Sequence, residues 1–338
     1  MRIMITGGTG FIGGAAARCL LDRGDSVTIL TRSPVRAGAL EERGATVVIG
    51  DLRDRASLIR ATEGCDVVLH AAGLPRPATW KAFRAVHIDG THNVLAAARM
   101  VGVRRVVSIA SQSVLFAGRD LLDIDETYPY PRRYIDPYSA TKAAAERLAL
   151  AENNAGLEVT SLRPAVVWGR GDTTILPIFV KLARSPFGVP ACGDGLNLEA
   201  TTHIDNLVGA MLAALTAPAA PGRAYFIVDA FRIGSREFLS RLLDAAGVAP
   251  RFVHIPRLLA EPAAWMLDHA AGALGLPVPL AYFGIRSALT SRSIQSTCAS
   301  DELDYRARVR LDEGLADLRA WVDEIGGAKA LAHRPGSR

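Results

Sequence analysis

Tyr138 and Lys142 lie four residues apart in the segment YIDPYSATKAAAERL, and the two side chains could carry acid–base chemistry. Lysine supplies only four of the 39 basic residues, so composition alone gives about 0.08 pairs of this spacing. On a helix that begins near Pro137, both side chains lie on one face. A phenol with its ordinary pKa of about 10 is a poor acid–base catalyst at neutral pH, but a nearby ammonium stabilises the phenolate and lowers that pKa. The alternative is a chance pair on a solvated helix.

Three glycines, Gly7, Gly10 and Gly13, stand between the apolar run RIMIT and a helical pattern rich in alanine. The first glycine permits a tight turn, the second lets a pyrophosphate approach the backbone, and the third lets helix and strand pack closely. The amino terminus of that helix would face the anion. The pattern predicts a dinucleotide site, against the alternative that the glycines serve packing alone.

The end of the second apolar run, in LTRSPVR, bears on the choice of dinucleotide. A site for NAD usually has an acid there, which accepts a hydrogen bond from the ribose 2′-OH. Here Thr31 and Arg32 take that place, with Arg36 nearby. A guanidinium suits a 2′-phosphate. The sequence therefore predicts NADP, with NAD as the alternative.

Two further segments follow strand-like runs and could contact the same ligand. In GDLRD, Asp51 and Leu52 would lie against the adenine, or Asp51 would be an ordinary helix cap. In HAAG, the small residues Ala71, Ala72 and Gly73 would leave room for the cofactor. Both interpretations of Asp51 stay open.

The elements that must position these residues alternate short β-branched runs with alanine- and leucine-rich helical patterns. The strand candidates are residues 2–6, 26–30, 46–50, 66–70, 105–109 and 158–162, with 223–228 rejoining later. Runs that are apolar on both faces belong inside a parallel sheet covered by helices. The alternation predicts an α/β, doubly wound (Rossmann) sheet with a smaller mixed C-terminal lobe. The predicted division is a dinucleotide-binding domain at 1–165 to which 200–230 returns, a substrate lobe at 166–199 and 231–326, and a flexible tail at 327–338.

Composition bounds the class of protein. With 49% apolar and 22% charged residues, the chain is typical of a globular protein, and its net charge of +5 comes from scattered arginines. Because no aromatic residues interleave the arginine clusters at 132–133 and 306–310, we expect solvated surface and no nucleic-acid partner. The four cysteines are far apart, which predicts no disulfide, no structural metal and a reducing cytoplasm.

The chain shows no secretory signal and no run of 18 apolar residues, so we expect no membrane span. The segment 255–285 is nevertheless very apolar. Its only Asp, Glu, Lys or Arg residues are Arg257, Glu261 and Asp268. Helices that pack on a core or cover an apolar pocket explain it, with peripheral membrane contact as the alternative.

The motifs TGGTGFIG, GDL, HAAG, SIAS, YSATK, LRPAVVWGRGD, THIDNLVGAMLAA and GRAYFIVD occur in an order and spacing that resemble the extended short-chain dehydrogenase/reductases. The resemblance covers about residues 1–326. Within that superfamily the chain is most similar to the 3β-hydroxysteroid dehydrogenase-like branch, which includes bacterial sterol and alkyl-ketone or keto-acid reductases. It implies an NADP(H)-dependent interconversion of a ketone and a secondary alcohol.

The resemblance also assigns roles to residues. It implies that Tyr138 transfers the proton, Lys142 holds the nicotinamide ribose and Ser111 hydrogen-bonds the substrate oxygen, with Ser113 as the rival of Ser111. Further cofactor contacts implied by it are Phe11, Ile12, Pro164, Val166 and Val167. Family analogy also favours a homodimer through the helices that begin near Thr91 and Ser139.

The chain departs from the family pattern at three points, and the last two bear on the substrate. His87 stands where the family commonly has Asn before x-x-Gly-Thr, and we expect a satisfied buried histidine there. Nucleotide-sugar members often have an Arg at the position of Glu199, where an acid would repel a substrate pyrophosphate. The dehydratase signature Asp-Glu is also absent, since Gln112 and Ser113 follow Ser111.

The position of Glu199 and the missing Asp-Glu signature argue against a sugar nucleotide, and the apolar residues of the less regular half favour a hydrophobic small molecule, steroid-like or long-chain, as substrate. Residues that could line its cleft, or could equally be core, are Trp80, Phe83, Phe116, Trp168, Phe187 and 258–283. Of these, Trp168 and Phe187, together with Ser113, are the predicted substrate contacts. The rival hypotheses are a nucleotide-sugar epimerase or dehydratase that uses NAD, and a non-catalytic protein that senses a dinucleotide.

Overall fold

The computed structural model describes residues 1–74, 77–277 and 281–333. Its strands, in chain order, are β1 (Arg2–Thr6), β2 (Ser26–Thr31), β3 (Thr46–Ile49), β4 (Val67–His70), β5 (Arg105–Ile109), β6 (Leu121–Ile124), β7 (Glu158–Pro164), β8 (Val166–Trp168), β9 (Val189–Ala191), β10 (Leu198–Glu199), β11 (Thr201–His203), β12 (Ala224–Ile227), β13 (Ile233–Gly234), β14 (Phe252–His254) and β15 (Arg292–Ile294).

The α-helices, numbered in the same way, are α1 (Phe11–Asp22), α2 (Gly38–Glu41), α3 (Arg55–Thr62), α4 (Trp80–Phe83), α5 (Gly90–Met100), α6 (Pro137–Ala151), α7 (Leu176–Ala183), α8 (Ile204–Ala214), α9 (Ser235–Ala245), α10 (Arg257–Ala273), α11 (Ala281–Ala288), α12 (Thr297–Leu303), α13 (Leu311–Glu324) and α14 (Gly327–His333). A π-helical segment, Arg84–Asp89, joins α4 to α5.

Seven strands form the central sheet in the order β12-β7-β5-β4-β1-β2-β3, and every neighbouring pair is parallel. The predicted doubly wound fold and its strands are therefore confirmed, with ends that differ by at most two residues. The chain runs outward from β1 to β3 and then crosses back to β4 on the other side of β1. In such sheets, ligands bind at the carboxyl ends of the strands beside this reversal.

Helices cover both faces of the sheet, which explains why its strands read as continuous apolar runs. On one face, α1, α8 and α12 pack on strand residues such as Ile5 and Ile29. On the other face, α3 and α5 pack on residues such as Met4 and Val106. All four of these strand side chains are fully or almost fully buried.

A second core lies mostly within the ranges that were predicted to form the substrate lobe and extends into residues 327–333. It is built from α7, α9, α13 and α14, with Trp168 among its buried members. Four two-stranded pairings, β8 with β11, β9 with β14, β10 with β13 and β6 with β15, connect this region. The domain boundaries themselves stay a prediction.

The prediction of a flexible tail from residue 327 is wrong for residues 327–333. That stretch forms α14, where Leu331 is fully buried against the second core, flanked by Ala328 and Ala332. These three residues share one helical face, which packs against α7. The prediction was wrong because it treated residues 327–333 without their apolar partner in α7. Residues 334–338 lie outside the described residues.

Within the described ranges, no helix combines the length and the apolar character that crossing a membrane requires. Cys19, Cys65, Cys192 and Cys298 are all free thiols. The part of the chain that the structure describes contains no group of three or more side chains arranged to hold a metal ion.

Candidate active site

A cavity of about 1830 Å³ runs from the carboxyl ends of the central strands into the second core region. One wall comes from the loops after β1, β2, β3, β4 and β5, and the other from α7, α9, α10 and α11. Sites for a single small molecule usually measure about 300–1,000 Å³. The volume is therefore sufficient for a dinucleotide and a second ligand together.

The glycine loop after β1 allows close approach to its backbone. Gly7 has φ of +73°, and a Cβ atom there would come within 2.8 Å of the Ala72 nitrogen. A Cβ atom on Gly13 would come within 2.4 Å of the Gly7 oxygen. Helix α1 begins next to this loop, and no side chain of the described residues caps its first turn. Its free N–H groups therefore suit a phosphate, and the residues present fit a dinucleotide.

The ends of β2 and β3 border the same cavity. Arg32 is exposed there and forms no ion pair within the described residues. The Asp51 carboxylate accepts hydrogen bonds of 2.9 Å from Nε and Nη2 of Arg53, and this contact lowers the pKa of Asp51. Asp51 is not a helix cap, because Asp54 caps α3 by accepting from the Ala56 nitrogen at 3.0 Å.

Helix α6 positions the Tyr138 and Lys142 pair. It begins at Pro137, whose fixed φ suits the first helical position, and Asp136 caps it by accepting from the Ser139 nitrogen at 2.9 Å. The Lys142 Nζ donates to the Ile109 carbonyl oxygen at 2.6 Å. Burial lowers the pKa of Lys142 to about 8, while the nearby Glu146 acts in the opposite direction.

The Tyr138 ring is half-buried and is held edge-on by two neighbours. Its centroid lies 5.9 Å from that of Phe83 and 5.4 Å from that of His87. The His87 Nε2 accepts from the Leu74 nitrogen at 3.1 Å, so Nδ1 carries the proton and donates to the Thr141 oxygen at 3.0 Å. His87 is thus a buried, hydrogen-bonded histidine that fixes the loop after β4 against α6.

Two serines after β5 line the cavity. The Ser111 Oγ accepts from the Ser113 nitrogen at 3.2 Å and caps the short 3₁₀ helix Gln112–Leu115. The Ser113 Oγ is buried without a hydrogen-bond partner in the described part of the chain. The choice of Ser111 over Ser113 as substrate contact stays a prediction.

The structure brings most of the predicted site residues to this one cavity. Those that line it are Gly7, Gly10, Phe11, Ile12, Gly13, Arg32, Asp51, Leu52, Ala71, Ala72, Gly73, Ser111, Ser113, Tyr138, Lys142, Val166 and Val167. Pro164 ends β7 and does not line the cavity, whereas its neighbour Ala165 does.

Two predicted substrate contacts do not line this cavity. Trp168 is 1% exposed in the second core, where its Nε1 donates to Asp229 at 2.8 Å, and it does not line the cavity. Phe187 is 81% exposed and also lies outside the lining. Aromatic residues occur in cores, on surfaces and in pockets, so the residue type alone does not predict which of these locations a given aromatic side chain occupies. Phe116, in contrast, does line the cavity.

An ion pair in the cavity wall corrects the interpretation of Glu199. Its carboxylate accepts from the Arg292 Nε at 3.0 Å and from Nη2 at 2.5 Å, and both side chains are largely buried. Glu199 therefore does not present an uncompensated negative charge. Arg292 also lies over the Phe116 ring, 5.5 Å from its centroid. No motif surrounds Arg292, so nothing in the local sequence indicates its place in the cavity wall.

The parallel sheet, the glycine loop and the serine, tyrosine and lysine side chains on one cavity define an NAD(P)-dependent oxidoreductase that acts on CH–OH groups. The pattern of the 3-beta hydroxysteroid dehydrogenase/isomerase family matches residues 4–257. The chain belongs to that family.

Relatives of known activity match over most of the chain. A 4-hydroxy-2-methyl-3-oxo-4-farnesyl-3,4-dihydroquinoline-1-oxide ketoreductase from Stigmatella aurantiaca is 36% identical, over 99% of this chain and 100% of that protein. A 2-alkyl-3-oxoalkanoate reductase from Stenotrophomonas maltophilia is 33% identical, over 95% of this chain and 99% of that protein. A 3-beta-hydroxysteroid dehydrogenase from Mycolicibacterium neoaurum is 32% identical, over 75% of this chain and 74% of that protein.

Solved structures share the fold. A double mutant of DesIV, a dTDP-glucose 4,6-dehydratase from Streptomyces venezuelae with NAD and DAU bound, has a TM-score of 0.75 at 26% identity, covering 96% of this chain and 97% of that one. A UDP-glucuronic acid 4-epimerase from Bacillus cereus has a TM-score of 0.75 at 19% identity, and the match covers 96% of this chain and 99% of that one. The second likeness shows the fold alone.

Proposed function

We propose that this protein reduces the ketone of a hydrophobic substrate, steroid-like or long-chain, with NADPH. The observation that carries the proposal is the position of Lys142. Its ammonium reaches the end of β5, two residues before Ser111, from the helix that also bears Tyr138. This position supports the proposal, because it would bring the Tyr138 phenol, the Lys142 ammonium and the Ser111 hydroxyl together near the carboxyl end of β5.

In the proposed mechanism, the glycine loop and Lys142 would hold a reduced nicotinamide dinucleotide, which would supply hydride for the carbonyl carbon. Tyr138 donates its phenolic proton to the carbonyl oxygen, and Ser111 hydrogen-bonds that oxygen as negative charge develops on it. Lys142 stabilises the phenolate that Tyr138 leaves behind. Oxidation of the alcohol reverses these steps, with Tyr138 as the base.

The preference for NADP over NAD rests on Arg32. This guanidinium follows β2, lines the cavity and forms no ion pair within the described ranges, so it is available to a 2′-phosphate. Asp51 follows β3, the strand next to β2, and its carboxylate accepts two hydrogen bonds from the Arg53 guanidinium. It is therefore a poorer acceptor for the 2′-OH that distinguishes NAD.

The substrate class follows from the lining and from the names of the relatives. Phe179, Leu182, Leu259 and Phe283 line the part of the cavity away from the glycine loop. The Stigmatella aurantiaca relative is named for a farnesyl-bearing 3-oxo compound and the Stenotrophomonas maltophilia relative for 2-alkyl-3-oxoalkanoates. A ketone that carries a long apolar group fits both observations.

The test is a screen of prenylated ketones, 2-alkyl-3-oxo acids and 3-ketosteroids as substrates. Oxidation of NADPH is measured as the decrease in its absorbance. We expect stoichiometric release of NADP⁺ with at least one lipophilic class. Interconversion of nucleotide sugars without net consumption of the dinucleotide would instead establish an epimerase or dehydratase. Binding of the dinucleotide with no turnover of any class, in either direction, would favour a sensor.

A further inference from the structure

Helix α10 and the residues after it expose an unusual number of large apolar side chains. They are Leu258, Leu259, Trp265, Met266, Leu267, Leu274 and Leu276, here called the α10 surface. Leu258 is 87% and Trp265 47% exposed. A helix at a protein surface normally buries its large apolar residues and exposes polar ones. In α10, by contrast, the buried residues are the alanines Ala260, Ala264 and Ala271.

The α10 surface adjoins the cavity. Leu259, Ala260, Ala263 and Ala264 contribute to the cavity wall, so the same helix has one side on the cavity and another toward solvent. The apolar segment 255–285 was predicted to pack on a core or to cover an apolar pocket, and its helices α10 and α11 line the cavity. That role does not account for the leucine, tryptophan and methionine side chains that α10 exposes.

The acidic residues of α10 are both engaged. The Glu261 carboxylate pairs with Arg257 and Arg286 at 3.0 and 2.9 Å. The Asp268 carboxylate accepts from the backbone nitrogens of Ala281 and Tyr282 at 3.0 and 2.9 Å, where it caps α11. The α10 surface therefore offers no free negative charge from its own helix.

Basic residues lie in segments that line the same cavity as α10. Lys181 and Arg184 lie at the end of α7, and Arg251 precedes β14, which pairs with β9 next to the exposed Phe187. All three are exposed, and none forms an ion pair within the described part of the chain. Leu182 and Phe252, which adjoin Lys181 and Arg251 in the chain, line the cavity, as does Pro190 of β9. The rim of the cavity is thus apolar and positively charged.

We propose that the α10 surface docks in the plane of an anionic phospholipid bilayer and that the cavity receives its lipophilic substrate from that bilayer. Large apolar side chains together with free basic ones suit an interface of acyl chains and anionic headgroups. A second copy of this chain fits less well, because a two-fold contact pairs the patch with itself and would gather both sets of Lys181, Arg184 and Arg251 into one interface. The delivery of substrate rests on the proposed function, whereas the docking does not.

Co-sedimentation of the full chain with vesicles tests the docking. We expect binding to vesicles of phosphatidylcholine and phosphatidylglycerol, weaker binding to phosphatidylcholine alone, and loss of the difference at high salt. The Trp265 fluorescence should shift to the blue and be quenched by brominated acyl chains. Absence of co-sedimentation with the anionic vesicles would overturn the proposal.

Variants separate the surface from the fold. Leu258→Glu with Trp265→Glu should weaken vesicle binding at least tenfold, while Met100→Glu, at an exposed apolar residue that ends α5, should leave it unchanged. Arg184→Glu with Arg251→Glu should remove the preference for anionic vesicles. A dimer in light scattering that Leu258→Glu dissociates, with vesicle binding unaffected, would assign the surface to a second copy and overturn the proposal.

A kinetic arm tests substrate delivery separately. Vesicles should lower the KM for a long-chain ketone dissolved in them and leave the KM for a short water-soluble ketone unchanged. Vesicle binding without any ketone turnover would leave the docking intact and count against the proposed function, so the two failures are distinguishable. Turnover that vesicles leave unchanged for the long-chain ketone would overturn the delivery.

Discussion

The Lys142 ammonium donates to the carbonyl oxygen of Ile109, the last residue of β5, at 2.6 Å. This hydrogen bond joins α6 to the carboxyl end of the central sheet. It fixes the face of α6 that carries Tyr138, four residues before Lys142, against the strand that leads to Ser111. The proposed chemistry depends on that junction of helix and strand.

The first prediction concerns the proton donor. Tyr138→Phe should lower kcat by about 10²–10⁴-fold, because the carbonyl oxygen then lacks its general acid. Dinucleotide affinity, measured by fluorescence titration, should stay within about twofold, since the glycine loop is unchanged. Tyr134→Phe is the matched control, because its hydroxyl donates to the Val114 oxygen and the residue does not line the cavity. Full turnover by Tyr138→Phe would remove the central role assignment.

The second prediction concerns the cost of placing Lys142 in the site. Burial lowers its pKa from 10.5 to about 8, so the unfolded chain binds this proton more tightly than the folded one. The charge therefore costs stability at neutral pH, and the cost falls as pH rises from about 8 to about 10.5. Lys142→Met should abolish turnover yet raise the free energy of unfolding at pH 7 by about 1–3 kcal/mol.

Denaturant unfolding at pH 7 and pH 10 checks the second prediction. The difference in free energy of unfolding between Lys142→Met and the parent protein should be smaller at pH 10 than at pH 7. Lys81→Met, at an exposed lysine, should change the free energy of unfolding by less than about 0.5 kcal/mol at both. A variant at position 142 that is less stable than the parent at pH 7 would show that the hydrogen bond to Ile109 outweighs the desolvation of the ammonium.

Local patterns in the sequence were sufficient for the sheet and for the cofactor loop. The role of Gly7 and Gly13 in the cofactor loop can be predicted from residue type, because backbone contacts at those positions exclude a Cβ atom. Trp168 and Arg292 could not be placed in this way, since their positions depend on partners distant in the chain, Asp229 and Glu199. Sequence patterns report short-range constraints, whereas the lobe is defined by long-range pairs.

The third prediction tests the dinucleotide preference. Arg32→Asp should weaken NADP binding by at least tenfold and improve NAD binding, because a carboxylate repels the 2′-phosphate and accepts from the 2′-OH. Dissociation constants for both dinucleotides check this. Arg60→Asp, at an exposed arginine of α3 outside the cavity lining, serves as control. Tighter binding of NAD than of NADP by the parent protein would contradict the assignment.

The fourth prediction concerns the ion pair in the cavity wall. Arg292→Met leaves the Glu199 carboxylate largely buried without its cation, which should cost about 3–5 kcal/mol of unfolding free energy. Adding Glu199→Gln should recover most of that loss, because no charge then remains buried. Thermal and denaturant unfolding of the parent, both single variants and the double variant complete the cycle. Strict additivity of the two single effects would show that the pair is not coupled.

The last prediction separates core from substrate contact at Trp168. Its indole shares the Asp229 carboxylate with Thr201 and with the backbone nitrogen of His203, at 2.8 Å in each case. Trp168→Phe removes one donor from a buried acceptor and should lower the free energy of unfolding by about 1–3 kcal/mol. Because the ring does not line the cavity, the KM for a lipophilic ketone should change by less than about threefold. Phe116→Ala, at a residue that does line the cavity, should raise that KM by about tenfold or more. A KM effect at Trp168 as large as that at Phe116, with unchanged stability, would restore the tryptophan to the substrate site.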